Sequence, residues 1–61
     1  MNNIVGQIMA YEQGEMTNEE EVAFFAELIK SKLAWSLQGM YGRQAMNYIK
    51  AGIISETGEV L

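Results

Sequence analysis

"TNEEEVAFFAELIKSKLAWSLQ", residues 17–38, decides the fold. It opens with a helix start. Thr17 followed by Glu20 is the capping-box pattern, in which the hydroxyl meets an orphan amide and the carboxylate reaches back. Glu19, Glu20 and Glu21 fall in the first turn, where the helix dipole favours negative charge, so the acidic run needs no ligand to explain it. Beyond the cap, Phe25, Ile29, Leu33 and Leu37 recur every four residues. Val22 and Ala26 widen that face, and Phe24, Leu28 and Trp35 make a neighbouring row. The resulting arc is broader than the single stripe a surface helix needs. The stretch predicts a helix over 18–38, continuous or bent near Ser31, since no Gly or Pro forces a break.

Upstream, Ile4 with Ile8 and Val5 with Met9 are i,i+4 pairs on a first helix of about 3–13, weakened by Gly6 and ended by Gly14. Downstream, Gly39 reads as the stop of the long helix. A third helix of about 42–51 follows, with Tyr41, Ala45, Tyr48 and Ile49 facing inward and Met46 expected at the edge of that face. Gly52 followed by Ile53 has the form of a Schellman end. "IISETGEVL" (53–61) reads as a short turn or hairpin around Glu56, Thr57 and Gly58. The expected architecture is all-α: one small domain over 1–61, a bundle of three helices with a C-terminal turn or hairpin.

A chain of 61 residues is marginal alone, because so short a polypeptide buries only about 60% of its unfolded surface. Small domains add disulfides, a metal or a partner subunit. The chain has no Cys and no His, which closes disulfide, thiolate and imidazole-metal routes. Self-association as a dimer or higher homo-oligomer is the remaining staple. The broad arc through Phe25, Ile29 and Leu33 gives a second reason, since one small chain is expected to leave part of it uncovered. No cofactor or metal is expected.

The net charge is −4, unevenly spread. Residues 1–29 carry Glu12, Glu15, Glu19, Glu20, Glu21 and Glu27 and no base; residues 30–52 carry Lys30, Lys32, Arg43 and Lys50 and no acid; Glu56 and Glu59 follow. Such asymmetry marks either a polyanion surface or two halves that attract each other, and four bases in an acidic chain favour the second. "MNNIVGQIMAYEQ" lacks the basic lead and long apolar run of a signal peptide. No apolar segment reaches the ~20 residues that span a bilayer. A cytoplasmic protein without membrane contact is expected.

"LAWSLQGMYGR" (33–43) gathers the only Trp, two Gly and the only Arg. Trp35 and Tyr41 supply apolar area with polar tips, and Arg43 a bidentate donor. Arg43 in the first turn of a 42–51 helix opposes the dipole, so it calls for an anionic or carbonyl partner. Trp35, Gln38, Tyr41 and Arg43 are therefore the candidate ligand or partner site. The run W-x-L-Q-G-x-Y-G-R, preceded by "EEEVAFFAELIKS" and followed by "AGIIS", resembles a family of small uncharacterised proteins encoded by tailed bacteriophages. The likeness spans "IMAYEQGEMTNEE" to "SETGEVL". It implies a phage origin and the host cytoplasm, and brings no activity or functional residue with it. Relatives tend to carry His where Met40 stands.

Catalysis is disfavoured: without His, Cys or Asp there is no imidazole acid–base pair, thiolate or nucleophile triad, and no catalytic residue is assigned. The leading reading is a non-catalytic, self-associating accessory protein that binds a host or phage protein. The alternative is a helix-turn-helix-like nucleic-acid binder presenting Arg43, Gln44, Asn47 and Lys50 from the third helix. It ranks second, because phosphate neutralisation needs more positive charge than four bases supply.

Overall fold

The computed structural model describes residues 4–61. Among them are three α-helices, α1 (Ile4–Glu12), α2 (Asn18–Lys30) and α3 (Gly39–Lys50), with a 3-10 turn at Leu33–Trp35 between the last two. The expected start of the first helix at Asn3 lies outside the described residues. No helix among them is long and apolar enough to cross a membrane.

Locally encoded ends form as the sequence indicates. Thr17 Oγ1 accepts from the Glu20 amide at 3.2 Å while the Thr17 amide donates to Glu20 Oε1 at 2.9 Å, completing the capping box. Gly14 (φ +72) closes α1: the Glu15 amide donates to the Ala10 carbonyl and the Gly14 amide to that of Tyr11. Gly52 (φ +75) repeats this pattern on α3, with Ile53 donating to Tyr48 and Gly52 to Ile49. Both are Schellman ends, where a glycine takes the left-handed conformation that side chains resist.

The long helix over 18–38 does not form. α2 ends at Lys30, Ser31 caps it and Lys32 takes φ 67. The Ser31 hydroxyl donates to the Glu27 carbonyl at 2.9 Å, occupying an acceptor at the very end of the helical ladder. A left-handed lysine costs roughly 1–2 kcal/mol. Packing offsets this, because the reversal brings Ala34 and all of α3 back over α2. Gly39 is likewise not a stop. It is the first residue of α3, so that helix spans 39–50 rather than 42–51.

The core comprises Phe24, Phe25, Ala26, Leu28 and Ile29 of α2, Ala34, Tyr41 and Ala45, and Ile54 of the tail. Phe25 and Leu28 are 0% exposed, Phe24 2% and Ile29 3%. Tyr11 lies across Phe24 and Phe25 with ring centroids 5.4 and 5.2 Å away, and Tyr48 closes on Phe25 at 5.4 Å. Tyr41, Ala45, Tyr48 and Ile49 face inward as their spacing indicates. One chain therefore keeps both rows of α2 dry, and Leu33 is partly buried against the same core. Contrary to expectation, no neighbouring copy is needed to cover this arc. Breaking the helix at Ser31 removes Leu33, Leu37 and Trp35 from the arc, and the tail supplies cover the sequence did not advertise.

That tail is a tight loop with a single antiparallel bridge, Ile54 to Val60, and no paired strands. The Ser55 amide donates to the Glu59 carbonyl at 2.7 Å and Leu61 to Ile53 at 2.9 Å. Gly58 (φ +93) presses on α2, and a Cβ there would lie 2.6 Å from the Lys30 amide nitrogen and 2.7 Å from the Ala26 carbonyl oxygen. Gly14, by contrast, faces open space. Gly58→Ala is expected to cost about 3 kcal/mol or more, combining left-handed strain with a backbone clash. Gly14→Ala should cost only about 1–2 kcal/mol from strain alone. Urea denaturation of both variants checks this, and equal losses would refute the docking of the tail on α2.

Candidate binding groove on the third helix

On α3, Tyr41, Ala45 and Tyr48 turn toward the core, and the helical period then sets Gly39, Gly42, Arg43, Met46, Asn47 and Lys50 outward. Trp35 stands beside this face, with its indole next to Gly42. A Cβ at Gly42 would lie 3.4 Å from the Ala34 carbonyl oxygen and 3.8 Å from the indole. The result is an open groove lined by Trp35, Gly39, Gly42, Arg43, Met46, Asn47 and Lys50. Trp35 is 48% exposed and Met46 41%. Neither Arg43 nor Lys50 has a carboxylate partner among the described residues. Because α3 starts at Gly39, Arg43 lies in the second turn, beyond the reach of the helix N-terminal dipole. The partner that its expected position demanded is no longer required.

The structure divides the sequence-derived site. Trp35 and Arg43 come together, and Asn47 and Lys50 join them from the nucleic-acid set. Tyr41 leaves it: the ring is 2% exposed, tilted against Tyr11 with centroids 5.8 Å apart, and its hydroxyl donates to Glu12 Oε2 at 2.6 Å. Its inward phase on the helix, legible in the sequence, outweighs its proximity to Arg43 along the chain. Gln38 is the residue preceding α3, with its carbonyl accepting from the Tyr41 amide, and it does not line the groove. Gln44 is partly buried at the edge, accepting from Asn47 Nδ2 at 3.4 Å. Met46, expected at the edge of the inward face, turns outward instead and lines the groove with the two glycines. A helix started at Gly39 would have grouped all of them by their three- and four-residue spacing.

On the opposite side, two glutamates serve the core tyrosines. Glu12 accepts from Tyr41, and Glu21 accepts from Tyr48 at 3.3 Å. Burial, then the Glu12 hydrogen bond and charge, push the Tyr41 phenol up to about 12. Burial also raises Tyr11 and Tyr48. Among the described residues, no three acidic side chains converge as metal ligands.

A tyrosine whose folded value lies above the ordinary 10.0 adds stability that is complete below pH 10 and is lost as pH rises toward the folded value. Stability is therefore expected to fall between about pH 10 and 12. Tyr41→Phe should make that fall shallower and cost about 1 kcal/mol at neutral pH through the lost hydrogen bond. Denaturation midpoints across the alkaline range check this, and an unaltered slope in the variant would contradict the assignment.

The chain belongs to the family described as "Domain of unknown function (DUF7417)", whose model matches residues 1–61. No curated protein and no solved structure matches it.

Proposed function

We propose, for a member of a family that carries no assigned activity, a small accessory protein that works by protein–protein contact rather than catalysis. The observation that carries this reading is the groove. A half-exposed Trp35 and Met46 sit beside Arg43 and Lys50 on a chain of net charge −4. Trp and Arg dominate the energetics of protein interfaces, and Met is enriched there. The chemistry that fits is a protein segment carrying an aliphatic side chain for the Trp35–Met46 wall and carboxylates for the two cations. A non-catalytic role is supported by the absence of His, Cys and Asp. A tailed-phage origin and action in the host cytoplasm rest on the W-x-L-Q-G-x-Y-G-R resemblance alone.

The nucleic-acid reading has one observation in its favour, that Arg43, Asn47 and Lys50 share this exposed face. Two cations neutralise at most two phosphates, giving a salt slope of only about −1.8 on a logarithmic scale. That is shallow for a protein with a net charge of −4.

The test is selection from a displayed random-peptide library. Peptides pairing Glu or Asp with aliphatic residues are expected, and Trp35→Ala or Arg43→Glu should weaken them by about tenfold or more. Enrichment of no such peptide, binding indifferent to both substitutions, or retention of duplex DNA with a steep salt dependence would overturn the reading.

A further inference from the structure

We infer that the groove on α3 takes as its partner a second copy of this chain, through the acidic, apolar surface at the start of α2 and the tail. The inference rests on the groove being a protein-binding surface, as proposed above, and names its occupant.

Among the described residues, the basic pole leaves Arg43 and Lys50 without a carboxylate. All four bases fall in residues 30–52, and acids occupy only the segments on either side. Elsewhere the chain carries a second groove of the opposite kind. Val22, Ala23 and Val60 line it with Asn18 and Glu19, and no cation is among its lining residues. The loop beside it continues the same chemistry outward. Val60 is 57% exposed and Leu61 74%, and Glu59 precedes them in sequence.

Each surface lacks what the other has. The α3 groove offers an aromatic wall and two unpaired cations, whereas the α2–tail surface offers protruding aliphatic side chains and carboxylates. Laid together between two copies, Trp35 and Met46 cover Val60 and Leu61 while Arg43 and Lys50 meet Glu19 and Glu59. This complementarity is what selects a second copy over an unrelated partner. The core needs no such contact, so pairing adds to a folded monomer rather than creating one. Contact between two such open grooves falls in the weak class below the standard size of about 800 Å² per partner, and a dissociation constant of about 0.1–1 mM is expected. Exposed charges make it sensitive to salt, since the screening length shrinks from about 30 Å at 0.01 M to 10 Å at 0.1 M.

The experiment is sedimentation of the full chain at low and high salt, with two charge-reversed variants, Glu19→Lys/Glu59→Lys and Arg43→Glu/Lys50→Glu. Circular dichroism confirms that each is folded, and the Gln versions at the same positions replace any that is not. The wild type should exceed 6.8 kDa as concentration approaches about 1 mM at low salt, and return to it in high salt. Each variant alone should stay monomeric, and mixing the two in equal amounts should restore association. A wild type monomeric throughout, or variants that associate as it does, overturns the inference. If only the acidic-face variant still associates, a second copy's α2–tail surface is refuted while the groove stands. Selected peptides that ignore Arg43→Glu/Lys50→Glu would remove the groove as well.

Discussion

Everything in this small fold depends on the chain turning back at Ser31 and Lys32. Had α2 continued, its two apolar rows would have run out beyond any cover that the rest of the chain supplies. The reversal places Lys32 in a left-handed conformation (φ 67), at a cost of roughly 1–2 kcal/mol. In return Ala34 is buried, and α3 lies against Phe25 through Tyr41 and Tyr48. A single buried Phe or Leu is worth about 1.5–3 kcal/mol, so the strain is offset several times over. The same turn pushes Trp35 out of the apolar arc to the surface, where it becomes one wall of the groove. Core and candidate site are two consequences of one bend.

The second constraint is Gly58. The tail completes the core with Ile54, but only if its loop comes within backbone contact of α2 at Ala26 and Lys30. That approach leaves no room for a side chain. A 61-residue chain without disulfide, thiolate or imidazole thus closes its core by itself, using its last nine residues as a lid. Association between copies therefore belongs to the surface, where the charges are segregated, and not to the interior.

What was legible in the sequence was local. The Thr17–Glu20 box and the glycine ends at Gly14 and Gly52 are set by interactions within a few residues, and they form as read. The inward face of α3 was legible too, because periodicity survives an error in where the helix begins. The bend at Ser31 was not, since neither Ser nor Lys encodes a stop and tertiary packing decides it. Gly39 misled for the opposite reason: a glycine resembles a helix end, whereas here α3 simply starts with it. That shift misplaced Arg43 against the dipole and concealed Met46, Gly39 and Gly42 as groove residues. Tyr41 was read both as inward-facing and as a ligand contact, and its hydrogen bond to Glu12 decides for the first.

The claim on which these points turn is that a lone subunit keeps the Phe24–Ile29 segment dry. Amide hydrogen exchange measures this directly, in protein dilute enough to be monomeric by light scattering. The amides of Phe24, Phe25, Leu28 and Ile29 should then exchange only through global unfolding, with protection matching the free energy from denaturation. Exchange in the monomer far faster than that, with protection appearing only as concentration rises, would contradict the account.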